Sequence, residues 1–187
     1  MTKRIIILAS GSGSLAEAIM DAHIEDLEIV AVISDRPAAV LAKAQRRRVR
    51  AELVSYSDYS SRASWDDRMI EIASQCKPDL VVSVGFMRIL SPDFVRQFPT
   101  INTHPALLPL FPGAHAVRDA LAAGVSESGS TVHWVDEGVD TGRIISQRVV
   151  KIQSGDTEES LHERIKIVER VLIVETLRVY VESGLPA

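Results

Sequence analysis

Asn102-Thr103-His104-Pro105 places an amide and an imidazole two residues apart. In an extended segment residues at that spacing face the same side, so both side chains can aim at one point. Pro105 restricts the backbone of His104 and helps fix its direction. A carboxamide donor beside an imidazole suits a developing oxyanion and a proton transfer. A hydrogen-bonded loop histidine is the plainer reading of the same residues. Farther along, Asp136-Glu137-Gly138-Val139-Asp140-Thr141-Gly142 forms a polar, glycine-containing loop. A carboxylate there can orient His104 and favour its charged form, the alternative being an ordinary acidic turn. Asp140-Thr141-Gly142 also spells the aspartic-protease tripeptide, but those enzymes are β-rich and this chain alternates strands and helices.

A third stretch, Ser10-Gly11-Ser12-Gly13-Ser14, lies between an apolar run and a helical pattern. Glycine permits positive φ and close approach of a ligand to the backbone. The free N–H groups of the helix start then point at that ligand, and an anionic, acceptor-rich phosphate is the natural guest. A plain tight turn is the competing reading. Gly11, Gly13 and Ala16 also match G-x-G-x-x-A, and Asp35 follows the next strand about where a dinucleotide-binding acid would sit. On this half alone a dinucleotide and a simple phosphate ester stay equally open.

The elements that must position these groups follow from hydrophobic periodicity. Ile5-Ile6-Ile7-Leu8-Ala9 is short, apolar and β-branched, as in a strand covered on both faces. A helix is predicted from the glycine loop to about Ala22, a second strand over Glu28–Ile33, and a helix over Ala38–Arg47 after Pro37. Trp65, Met69, Ile72 and Cys76 share one helical face, which Lys77-Pro78 terminates. Leu80–Val84 is another strand, Ser91-Pro92 opens a short helix, and Thr100–Thr103 is a brief extended piece. The stretch Pro105–Gly113 reads as loop. Ser130–Val135 alternates as a strand, with Ile144–Val150 pairing against it. Asp156-Thr157-Glu158-Glu159 resembles a capping box that starts a long helix to about Ser183, its core face carrying Leu161, Ile165, Val168 and Leu172. Strand–helix alternation predicts an α/β chain with a doubly wound, mostly parallel sheet and an antiparallel pairing in the C-terminal half.

Composition narrows the function. The chain has 187 residues with 21 Lys+Arg against 25 Asp+Glu, a net charge of −4, which argues against nucleic-acid partners. One cysteine, Cys76, excludes an intrachain disulfide and a multi-cysteine zinc site. His23, His104, His115, His133 and His162 show no metal-ligand spacing, so no metal is expected. No apolar run approaches the ~18 residues of a membrane span, and the apolar N-terminal stretch falls short of the ~7–15 of a signal sequence. A cytoplasmic protein acting on small molecules is the expectation. No G-x-S-x-G occurs, which argues against a serine hydrolase. Arg46-Arg47-Arg48-Val49-Arg50 reads as a solvated helix end favoured by the helix dipole, with a phosphate-docking patch as the lesser alternative.

The ordered set Gly11-Ser12-Gly13-Ser14, Gly85-Phe86-Met87-Arg88-Ile89-Leu90, Asn102-Thr103-His104-Pro105-Ala106-Leu107-Leu108-Pro109 and Gly138-Val139-Asp140-Thr141-Gly142 closely resembles the phosphoribosylglycinamide formyltransferase family, from the first strand into the last helix. The resemblance implies a Rossmann-like formyltransferase fold in one domain over residues 1–187, with a phosphate-binding half to about 100 and a catalytic and folate half from about 101. It implies formyl transfer from 10-formyltetrahydrofolate, a cosubstrate, to the amine of N1-(5-phosphoribosyl)glycinamide in purine synthesis. Asn102, His104 and Asp140 match the family's catalytic residues. Gly11, Ser12, Gly13 and Ser14 match its phosphate loop, and Lys166 and Glu169 resemble positions that hold the ribonucleotide. Met87, Arg88, Ile89 and Leu90, with Asn102, match the folate pocket. Arg62 and Arg88 match arginines near the folate glutamate, and His115 and Arg118 match a loop near the folate. Taken singly, the arginines read as surface charges, Lys166 and Glu169 as an intrahelical ion pair, and Phe86–Leu90 as a strand end turning into the core. A homodimer is compatible with the resemblance.

Two departures stand out. Ser14 passes directly to Leu15, where many relatives insert an asparagine, and the chain stops at Ala187, where many continue. The rivals are another folate-dependent formyltransferase or a 10-formyltetrahydrofolate hydrolase of the same superfamily, a nicotinamide-dependent oxidoreductase, and a non-catalytic phosphate-binding module. Methionyl-tRNA formyltransferase normally carries a further C-terminal domain and the deformylase a further N-terminal one, so chain length favours the ribonucleotide enzyme.

Overall fold

In the computed structural model, which describes residues 1–186, a strand buried over its last four residues stands at the centre of the N-terminal unit. This is β1 (Lys3–Leu8), and its Ile5, Ile6, Ile7 and Leu8 have no exposed surface. The chain continues through α1 (Ser14–Asp21), β2 (Leu27–Ser34), α2 (Ala39–Arg46) and β3 (Ala51–Leu53). A 3-10 turn at Tyr56–Asp58, α3 (Arg62–Cys76), β4 (Leu80–Ser83) and α4 (Pro92–Gln97) complete it. β2 and β4 flank β1 in parallel, placing Ile5 opposite both Ile29 and Leu80. Parallel strands need crossover connections, and the helices supply them while covering the apolar faces.

The remaining elements are β5 (Thr100–His104), α5 (Ala116–Ala122), β6 (Glu127–Trp134), β7 (Ile144–Lys151) and α6 (Glu158–Ser183). The strand order is β3-β2-β1-β4-β5-β6-β7, a mixed and mostly parallel sheet whose last pair, β6 and β7, is antiparallel. By compactness the chain divides into residues 1–101 and 102–187.

Each unit has its own core. In the first, Ile6, Leu8, Ile33 and Val81 pack with Trp65, Met69, Ile72 and Cys76 of α3 and with Phe94 and Phe98. Trp65 is fully buried and donates its indole N–H to the Val54 carbonyl at 2.8 Å, satisfying its one polar atom. In the second, Val117, Val150, Leu161 and Ile165 cluster.

The helix ends follow the caps, with one revision. α3 and α4 start on Ser61 and Ser91, whose hydroxyls accept from Ser64 N–H and Phe94 N–H. α6 starts on Thr157, but the box closes on Ser160 rather than within Asp156–Glu159. Asp156 instead takes Arg164, which holds its carboxyl far below the ordinary value. Three elements escape the sequence reading: β3, the 3-10 turn and α5. Among the described residues no helix is long and apolar enough to cross a membrane.

Candidate active site

Asp140 is the hub of the C-terminal unit's polar cluster. Its loop must fold tightly to place it. Thr141 Oγ and Gly138 N–H both donate to the Asp136 carboxylate, at 2.7 and 3.0 Å. A side chain at Gly142 would collide with the Trp134 carbonyl, so only glycine lets the loop close here. Asp140 itself sits in the left-handed region at φ 55°, a conformation that Asp, Asn and Gly tolerate best.

From that position one carboxylate serves three partners. Oδ2 accepts the Gly113 N–H at 2.8 Å and lies 3.3 Å from His104 Nδ1. Oδ1 lies 3.4 Å from His133 Nε2. Asn102 joins through the same histidine, its amide nitrogen 3.3 Å from His133 Nε2. The outer nitrogens of both rings face carbonyls: His104 Nε2 is 2.8 Å from Phe111 O and His133 Nδ1 is 2.8 Å from Trp134 O. A ring nitrogen facing a carbonyl must carry a hydrogen, so both tautomers are assigned by the backbone. The inner nitrogens, His104 Nδ1 and His133 Nε2, face Asp140, and His133 Nε2 also faces the Asn102 amide.

Electrostatics in the cluster run in opposing directions. Burial pushes the His104 imidazolium below its ordinary value, against the upward pull of the Asp140 carboxylate and the Phe111 carbonyl. The ring is therefore mostly neutral at pH 7. Burial raises Asp140, yet the contacts from His133, Gly113 and His104 outweigh it and hold the carboxyl below its ordinary value. Asn102, His104 and Asp140, three residues singled out from sequence, thus meet in space. His133 carries no sequence signal beyond an imidazole inside the alternating strand predicted over Ser130–Val135.

The other expected residues of this unit are dispersed. Thr131 braces the loop after His104: its hydroxyl donates to Ala106 O at 2.6 Å and accepts the Leu108 N–H at 3.1 Å. His115 caps α5 without a side-chain hydrogen bond, and Arg118 pairs with Asp119 on the exposed side of that helix. Lys166 turns back to Glu163 at 2.7 Å, so the Lys166–Glu169 ion pair allowed by their spacing does not form. Glu169 is only 5% exposed and has no hydrogen-bond partner among the described residues; burial raises its carboxyl to about 7.

In the N-terminal unit the glycine loop is built from backbone. Gly13 adopts φ 71° ahead of α1, and a side chain there would strike Val40. No side chain caps the helix, so its first N–H groups have no side-chain acceptor at the loop. The segment after β4 is fastened to this loop. Ser10 N–H donates to Gly85 O at 3.1 Å, and Met87 N–H donates to Ser10 Oγ at 2.7 Å. Met87 and Ile89 are 63% and 60% exposed, whereas Leu90 packs into the core. Arg62 pairs with Asp66 and donates to the Ile89 carbonyl. Asp35, which a dinucleotide would need for its ribose, has no exposed side-chain surface and is already held by Arg36 and Arg88. Among the described residues no group of His, Cys, Asp and Glu is arranged to hold a metal ion.

Residues 3–177 match the formyl transferase family, and the chain belongs to it. Within that family its similarity is to enzymes acting on a ribonucleotide. A phosphoribosylglycinamide formyltransferase of Mycobacterium tuberculosis is 47% identical over 185 residues, covering 97% of this chain and 86% of the relative. The structure of glycinamide ribonucleotide transformylase 1 from Symbiobacterium toebii superposes with a TM-score of 0.93 at 40% identity, covering 97% of this chain and 88% of that one. A human trifunctional purine biosynthetic protein, adenosine-3, is 38% identical over 97% of this chain, which spans 18% of that longer protein.

Proposed function

We infer that the chain transfers a formyl group from 10-formyltetrahydrofolate to the amine of N1-(5-phosphoribosyl)glycinamide, a step of purine synthesis. The observation that carries this reading is the convergence of Asn102, His104 and Asp140 in a chain similar to named phosphoribosylglycinamide formyltransferases.

The neutral amine attacks the formyl carbon; a C–N bond forms and the carbonyl pair moves onto oxygen. Asn102 and His104 donate to that oxyanion. His104 releases the Phe111 carbonyl to do so, and Asp140 favours the imidazolium as negative charge grows beside it. The surplus proton on the attacking nitrogen passes by way of His104 and Asp140 to the folate nitrogen, which leaves as the C–N bond to it breaks. His133 orients both Asn102 and Asp140.

Binding is assigned to the remaining residues. Gly11, Ser12, Gly13 and Ser14 take the phosphate, largely through backbone N–H groups, so the asparagine missing after Ser14 removes a side-chain contact and leaves the cradle. Lys166 and Glu169 face the ribonucleotide. Met87, Arg88, Ile89 and Leu90 form the pterin segment, Arg62 and Arg88 take the glutamate, and His115 and Arg118 lie along the folate.

The test is a spectrophotometric assay with 10-formyl-5,8-dideazafolate and phosphoribosylglycinamide, run beside His104→Ala. Amine-dependent release of dideazafolate by the wild type and its loss in the variant are expected. Absence of turnover in the wild type, or equal turnover in both, overturns the reading.

A further inference from the structure

Asp35 is a buried carboxylate for which neither the fold nor formyl transfer has an evident need. Its side chain has no exposed surface, yet it is charged. Burial alone would raise it, but donation from Arg36, Ser10 and Arg88 holds it below its ordinary value. A buried charge is costly unless several donors converge on it, so the network around it is built to keep this group in place.

What the network holds is one face of the segment after β4. Arg88 Nε donates to Asp35 Oδ2 at 3.1 Å. The Arg88 guanidinium lies 4.1 Å above the centre of the Tyr56 ring, and Tyr56 N–H donates to the Asp35 carbonyl at 3.0 Å. Asp35 thus fixes both the edge of the guanidinium and the aromatic plate beneath it. Ser10, whose hydroxyl also favours the charged form of Asp35, accepts the Met87 N–H and pins the neighbouring residue of the same segment. With Nε engaged inward, the two terminal nitrogens of Arg88 have no hydrogen-bond partner among the described residues, and the side chain remains 35% exposed. That is the free, planar pair of donors that binds a carboxylate with two parallel hydrogen bonds.

We propose that Asp35 is a positioning residue for folate recognition: it turns Arg88 so that the terminal nitrogens face the glutamate carboxylate of the cosubstrate. Tyr56 is the plate on which that guanidinium rests. The inference depends on the folate assignment of Met87–Leu90 made above. It goes beyond it in saying which buried group gives Arg88 its direction and which part of the cosubstrate feels the loss.

The experiment compares wild type and Asp35→Asn with two cosubstrates: 10-formyl-5,8-dideazafolate, and the same compound truncated to lack the glutamate. Asparagine keeps the size and removes the charge that orients Arg88. The expected result is a KM for the full cosubstrate raised about tenfold, the worth of one oriented charged hydrogen bond, with kcat changed less than about twofold. The KM for the truncated compound stays the same in both proteins. A KM raised equally for both compounds, or unchanged for both, overturns the proposal. If Asp35→Asn does not fold, Tyr56→Leu carries the same comparison: it keeps the carboxylate and removes the plate, and a selective rise of about threefold is expected. No selectivity in that variant overturns the proposal equally. Failure of the functional reading is distinguishable, because the wild type would then turn over neither compound.

Discussion

The Asp140 cluster and the glycine loop illustrate two ways of building a polar site. In the cluster the working groups are side chains, and each is set by a neighbouring group: Asp140 by the Gly113 N–H, Asn102 by His133, His104 by Phe111 O. In the loop they are backbone N–H groups, and what holds them is conformation: a positive φ at Gly13 and a helix without a side-chain cap. The first arrangement is intolerant of side-chain chemistry and the second of backbone change.

The sharpest way to break this contrast is at Asp140. Asp140→Asn, which the left-handed backbone accommodates, should fold normally and lower kcat by about 10²–10⁴, the range of a general acid–base group. Its residual activity should also titrate differently. Asp140 pulls the His104 imidazolium upward, so without it the acid limb of the kcat profile moves to lower pH. Turnover near the wild-type value, or a limb moving to higher pH, would show that Asp140 does not act on His104.

Asn102→Ala comes next, with an expected loss of about 10²–10³ in kcat, typical of a single oxyanion donor. A change confined to KM would make Asn102 a binding group instead.

The loop gives the complementary test. Gly13→Ala forces a side chain into the left-handed region and against Val40, and should destabilise the fold by at least about 1–2 kcal/mol in thermal or denaturant unfolding. Gly11→Ala has open space and no unusual φ, and should stay within about 0.5 kcal/mol of wild type. Equal effects at the two positions would sink the claim that backbone conformation carries the loop.

A smaller effect is expected at Glu169. Its carboxyl sits at about 7 in the fold against 4.5 ordinarily, so the folded chain keeps a proton that the unfolded chain releases. The associated stability is full below about pH 4.5 and is lost as pH rises through about 7. Glu169→Gln should flatten that decline and gain about 1–3 kcal/mol at pH 8 relative to wild type. A pH dependence unchanged by the substitution would refute the burial argument.

Much of this was legible in the sequence, for physical reasons. Ile5–Leu8 reads as a strand covered on both faces and the Trp65–Cys76 spacing as one helical face, and the fold has both. What escaped was short or depended on distant partners. β3 has three half-exposed residues and lacks a run to read. α5 is seven residues long and follows a stretch dense in Pro and Gly that masks its start. His133 looked like any strand residue, because its significance lies in Asn102, 31 residues earlier, and in a loop that folds Asp140 back onto it. Lys166 had two acids within reach at three residues, Glu163 and Glu169, and spacing alone could not choose; burial of Glu169 decided it.

The single thiol, Cys76, lies in the core of the N-terminal unit, and burial pushes it above its ordinary value. A reagent that alkylates thiolates will therefore meet it only when that core opens. Labelling rates in buffer report the opening of residues 1–101 without an added probe, while the C-terminal unit, which has no cysteine, stays silent in the same experiment.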